Sequence, residues 1–259
     1  MAWRAVVRSS VGTRHQKQQQ PCQDYGNYCI LNHNVIVGAV ADGAGSAKYA
    51  DVGAKLAVET VMTIVREIAN SPQPKENISN PLNEQEARKL FSKIVVEVVA
   101  TLEEKAIHEN YAIADLACTL LVVVATPDWL AAMQIGDGFI VVGLQGEAYQ
   151  LLFQPDKGEF VNQTTFVTST HALDEMQVDV LLGQHKFICA ATDGLERVAI
   201  RMSDWTPFLP FFKPLEEYLW ETLHPEQEDE YIKTFLNSER LNARTDDDKT
   251  LLLCLYAQN

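Results

Sequence analysis

The sequence predicts a layered α/β domain in which two mainly antiparallel sheets pack face to face beneath helices. Three observations carry that expectation. Two long amphipathic helical patterns lie in the first half of the chain. The second half holds short apolar runs separated by turns, which suggests antiparallel connections rather than a crossover helix after every strand. Most of those runs are apolar at consecutive positions, so both of their faces need a cover.

The elements follow in order. Trp3–Ser10 alternates enough for an early strand. Thr13–Gln23 is polar, lacks a period and contains Pro21, and reads as a loop. Asn34–Val40 is short, apolar and β-branched, a strand that ends at Ala41-Asp42-Gly43-Ala44-Gly45-Ser46. Glycines there let the chain turn sharply and bring backbone carbonyls near a ligand. Val52, Ala54, Val58, Val61, Ile64, Val65 and Ile68 recur at helical spacing. Asn70–Pro81 is a connection. A second helix is marked by Leu90, Phe91, Ile94, Val95, Val98 and Leu102, with Asn83 and Glu86 as its start signal. Strands are expected at Thr119–Ala125, Trp129–Ile135, Phe139–Leu144, Tyr149–Phe153, Lys186–Thr192 and Thr250–Tyr256, with helical or irregular acidic material over Thr206–Leu241. No composition shift divides the 259 residues, so a single domain over 1–259 is expected.

The formal charge is −14, from 35 acidic against 21 basic residues, and no Lys/Arg stripe reverses it locally. Such a field repels nucleic acid. No apolar segment is long enough to span a bilayer or to act as a signal peptide. The five cysteines include no C-x-x-C pair, and Cys118, Cys189 and Cys254 lie in or beside apolar runs. Unpaired, buried thiols point to a reducing compartment and hence the cytoplasm.

The chemistry lies in where the acids fall. Asp42 ends one apolar run; Asp137 follows another in Gly136-Asp137-Gly138; Asp193 follows a third in Thr192-Asp193-Gly194; Asp247 and Asp248 precede the last. Strand ends can place separated carboxylates on one rim, and crowded carboxylates repel unless cations or protons offset them. An oxygen-only donor set favours Mg²⁺ or Mn²⁺ over zinc. The histidines form no compact zinc pattern, and no glycine-rich nucleotide loop is present.

The stretches Cys22-Gln23-Asp24, Val40-Ala41-Asp42-Gly43-Ala44-Gly45-Ser46, Gly136-Asp137-Gly138, Thr192-Asp193-Gly194 and Asp247-Asp248-Lys249-Thr250 resemble, in that order, the motifs of the PP2C-like metal-dependent protein phosphatases. Gly158–Phe166 looks like the bacterial branch. The resemblance implies an α-β-β-α sandwich with two Mn²⁺ or Mg²⁺ ions at the end of its sheets. It implies that Asp42 bridges both ions, that the Gly43 carbonyl contacts the first, and that Asp193 and Asp247 bind the second. Asp24 would hold coordinated water, Asp137 would support the site, and Asp115 would serve a weaker third ion. The implied reaction is hydrolysis of phosphoserine or phosphothreonine in protein substrates by a metal-activated water. The family often carries an arginine five residues before the acid matching Asp24, where this chain has Gln19. Arg14 is therefore expected to take the phosphate charge, with His15 as general acid. The alternative is a catalytically weak PP2C-like signalling or phosphoprotein-binding module, which would have no need to keep Asp42, Asp193 and Asp247 together. The oligomeric state is left open.

Overall fold

The computed structural model describes residues 2–32, 34–71, 78–144, 148–154 and 164–257. The chain opens with β1 (Ala2–Ser10), α1 (Thr13–Gln18), a hairpin of β2 (Asp24–Leu31) and β3 (Val35–Asp42), and the long helices α2 (Ala50–Asn70) and α3 (Glu84–Glu109). Four strands follow: β4 (Leu120–Ala125), β5 (Trp129–Ile135), β6 (Phe139–Gly143) and β7 (Tyr149–Leu151). Next come α4 (Ala172–Glu175), β8 (Gln177–Leu182), β9 (Phe187–Ala191), α5 (Glu196–Ala199) and the small hairpin β10 (Ile200–Arg201) and β11 (Thr206–Pro207). Helices α6 (Leu209–Glu221), α7 (Glu230–Leu236) and α8 (Glu239–Asn242) lead into the last strand, β12 (Lys249–Ala257).

Two five-stranded sheets form, in the orders β1-β12-β9-β6-β7 and β2-β3-β4-β5-β8. Neighbouring strands in both are antiparallel. The period-two alternation of a strand explains how they stack. In β4, Leu121, Val123 and Ala125 face the inter-sheet core, where they meet Ile188 of β9 and Leu252 of β12. The alternate residues Leu120, Val122 and Val124 face α2 and α3. β12 divides likewise: Leu252 and Cys254 point between the sheets, and Leu251, Leu253 and Leu255 point to α6 and α7. Three apolar layers thus separate helix, sheet, sheet and helix, the predicted sandwich. Its central strands read as unbroken apolar runs because both of their faces are covered.

Local signals match the layers. The Asn83 side chain accepts the Glu86 N–H and the Glu86 carboxylate accepts the Asn83 N–H, each at 2.9 Å. Such a capping box stabilises a helix start by about 1 kcal/mol. Among the described residues no helix is long and apolar enough to cross a membrane.

Three local expectations need correction or addition. Thr13–Gln23 is not all loop: Thr13–Gln18 forms α1, closed by Gln19 in the left-handed region at φ 57°. Its helical pattern is hidden because only His15 turns inward. Strands β2 and β8 are additions, and they are the two edges of the same sheet. β2 also carries Gly26 and Asn27, and most of its residues are only half-buried, so its apolar pattern is weak. Gly158–Gln163 of the block that suggested a bacterial relative lies outside the described residues.

Candidate metal centre

Strand register brings the acids to one end of the sandwich. Asp24 opens β2 directly opposite Asp42, which closes β3. Ala191 pairs with both Phe139 and Leu251, so Asp137 before β6, Asp193 after β9 and Asp247 before β12 leave the other sheet at that same end. The two sheets are tied there by Thr192, whose hydroxyl donates to Asp24 Oδ2 at 2.6 Å and accepts the Thr250 N–H at 2.9 Å. Asp42 is fixed by Thr119: its N–H donates to Thr119 Oγ1 at 2.9 Å, and its carbonyl accepts the Thr119 N–H at 2.8 Å.

The acids perturb one another. Burial pushes Asp24 up to about 8, against the opposing hydrogen bonds of Thr192 and Asp42. Burial, then the charges of Asp137 and Asp247, push Asp193 up to about 7. Asp42 is held well above the usual carboxylate range by burial and by the charges of Asp24 and Asp193. Two cations reach this cluster from within the described residues. Arg14 Nη2 lies 3.0 Å from Asp247 Oδ1 at the exposed edge. Lys249 is fully buried, its Nζ donating to Asn242 Oδ1 at 3.0 Å, and burial lowers its pKa.

A neighbouring acid holds the frame. Asp248, 3% exposed, accepts the Gly12 N–H on Oδ1 at 2.6 Å. Its Oδ2 meets the Gln23 N–H at 2.6 Å and His15 Nδ1 at 2.9 Å. One carboxylate, on the residue just before β12, thereby joins that strand to the segments that carry Arg14 and Asp24. Glycine is required where these segments touch: a Cβ on Gly12 would strike the Asp246–Asp247 backbone, and one on Gly194 would strike the Asp248 carbonyl. His15 is accordingly a buried residue of α1 and not a residue of an open loop.

Of the expected site residues, Asp24, Asp42, Asp193 and Asp247 come together, with Gly43 next to Asp42 and Arg14 on their edge. Gly43 itself donates its N–H to the Gln23 carbonyl at 3.1 Å. Asp137 stands beside Asp193 and accepts the Thr164 hydroxyl at 2.7 Å. Asp115 is placed differently. Its Oδ2 accepts the Ala112 N–H at 3.2 Å, and its charge bears on Lys48. Sequence reasoning gave no role to Thr119, Thr192 or Asp248. Thr192 and Asp248 stood out only as neighbours of Asp193 and Asp247 in their motifs.

The donor set fits hard divalent cations. It is made of carboxylate oxygens raised by burial and mutual repulsion, and the buried Gln23 Oε1 nearby has no hydrogen-bond partner. Among the described residues no three acids already close into a finished coordination shell. Asp42 lies within hydrogen-bond reach of both Asp24 and Asp193.

Helix-flanked paired sheets with acids gathered at one end are an arrangement that known proteins share. The family described as Protein phosphatase 2C matches residues 11–237. Serine/threonine-protein phosphatase 3 of Escherichia coli (strain K12) is 38% identical over 265 residues, covering 100% of both chains. The fold matches the serine/threonine phosphatase of S. agalactiae with a TM-score of 0.63 at 15% identity, over 98% of this chain and 100% of that one. It also matches RsbX, solved in complex with magnesium, with a TM-score of 0.57 at 12% identity over 99% and 96%. The chain belongs to the protein phosphatase 2C family and is a phosphatase.

Proposed function

We propose that this enzyme hydrolyses phosphoserine and phosphothreonine in proteins, with Asp42, Asp193, Asp247 and the Gly43 carbonyl holding a pair of Mg²⁺ or Mn²⁺ ions. The observation that carries the reading is the rim on which burial and neighbouring carboxylates raise the proton affinity of Asp24, Asp42 and Asp193, with the Asp247 charge beside Asp193. When bound, the ions supply positive charge to phosphoryl oxygens and lower the pKa of water.

The chain's own groups orient the reactants. Asp24, held by Thr192, offers its free lone pairs to water at the rim. Arg14 presents a planar guanidinium at the Asp247 edge, suited to paired hydrogen bonds with phosphate oxygens, which the neutral Gln19 cannot replace. His15, buried against Asp248, is a positioning residue that fixes the helix carrying Arg14. This replaces the general-acid role expected from its place in the sequence. A third, weaker ion belongs between Asp137 and Asp193, with Asp115 left in its local turn. The same reading takes residues 1–259 as one catalytic domain in a cytoplasmic setting, supported by five free cysteines.

The test is hydrolysis of phosphoserine, phosphothreonine and phosphotyrosine peptides and of a small phosphodiester. Turnover of the first two, lost on chelation and restored by Mn²⁺, is expected. Metal-independent turnover, or preference for the diester, would overturn the reading.

A further inference from the structure

Resting on the phosphatase reading above, we infer that Arg14 and the divalent ion compete for Asp247, so that phosphate strengthens ion binding by drawing Arg14 away. Arg14 is directed to this carboxylate by its surroundings. Its backbone N–H donates to the Asp246 carbonyl at 3.0 Å. Gly12, just before α1, and His15, within it, are bound to Asp248 at 2.6 and 2.9 Å. The guanidinium also lies over the loop that follows Asp42, since a Cβ on Gly45 would sit 4.0 Å from Arg14 Nη2. It therefore spans the gap between the Asp42 loop and Asp247.

Asp247 Oδ1 is already occupied twice. It accepts Arg14 Nη2 at 3.0 Å and the Asp248 N–H at 3.0 Å. An ion that binds Asp247 through either oxygen meets the repulsion of the adjacent guanidinium, whereas the Asp248 backbone donor is neutral. Arginine cannot give up its proton in this pH range, so only an exchange of partners relieves the conflict. Phosphate is the better partner: it offers paired oxygens and more charge than a carboxylate whose side chain is 37% exposed. Once phosphate holds Arg14, Asp247 is free for the ion. By linkage the coupling is reciprocal, and bound ion must raise phosphate affinity by the same factor.

The experiment is calorimetric titration of Mg²⁺ into the wild-type chain and R14Q, each with and without saturating inorganic phosphate. Thermal melts confirm that both are folded, as expected for a side chain that is 44% exposed. Removing the competitor should lower the dissociation constant of the weaker ion about two- to fivefold at low salt, the range expected of an exposed ion pair. That gain should shrink as ionic strength rises. Phosphate should tighten Mg²⁺ binding in the wild type and do so less in R14Q. Equal Mg²⁺ affinities without phosphate, or an undiminished phosphate response in R14Q, would overturn the inference. Absence of Mg²⁺ binding to the wild-type chain would instead strike the phosphatase reading itself, and the inference would fall with it.

Discussion

Replacing Asp248 with alanine strips three donors of their acceptor at once: the Gly12 and Gln23 amides and His15 Nδ1. A hydrogen bond to a charged acceptor contributes roughly 1.5–3 kcal/mol, and a buried donor left bare costs about 1–3 kcal/mol. The three share one carboxylate, so their effects do not add fully. A loss of about 3–5 kcal/mol is expected, a large part of the roughly 5–15 kcal/mol that holds an ordinary domain. D248N preserves volume but turns an amide NH₂ toward at least one of those donors, for a loss of about 2 kcal/mol. Urea unfolding of the metal-free protein, read as a shift in midpoint at constant slope, measures both. D248N should also raise KM for a phosphopeptide more than it lowers kcat, because α1 and Arg14 lose their anchor. A D248A protein within 1 kcal/mol of wild type would refute the claim that this acid ties α1 and the Gln23 segment to β12.

The other predictions concern protons and ions. Asp24 at about 8 and Asp193 at about 7 lie above the ordinary 3.8, so the folded state keeps protons that the unfolded chain has released. The contribution of these two acids to metal-free stability is thus fully present below about pH 4 and is lost as pH rises through 7 and 8. Melts from pH 5.5 to 8.5 should fall without metal and flatten with Mg²⁺, and a rise without metal would contradict the crowding of these acids. D137A should weaken an accessory ion and lower turnover at limiting Mn²⁺, whereas D115A should behave as wild type in both; the opposite ranking would restore Asp115 to the site.

What the sequence made legible follows from what each element buries. Strands β4, β9 and β12 are covered on both faces, so each stands out as an unbroken apolar run. Helix α3 announces itself by the Asn83–Glu86 box. Edge strands β2 and β8 are half-covered and mix polar residues into their pattern, and α1 turns only His15 inward. The acids were visible because each follows or precedes an apolar strand. Their partners were not, since pairing Asp248 with Gly12, or Thr192 with Asp24, depends on sheet register between residues 236 and 168 apart. In the run Asp246-Asp247-Asp248 nothing in the letters says which acid faces the rim and which faces inward. The structure separates them by burial: Asp248 is 3% exposed, while the Asp247 side chain is 37% exposed.

The centre of the proposal is Asp42, which stands between Asp24 and Asp193 on the rim. Calorimetric titration of Mn²⁺ into folded wild type and D42A tests it most directly, with phosphopeptide hydrolysis followed on the same samples. Loss of at least one bound ion together with loss of hydrolysis is the predicted result. Wild-type stoichiometry, affinity and turnover in D42A would contradict a shared metal site on this rim.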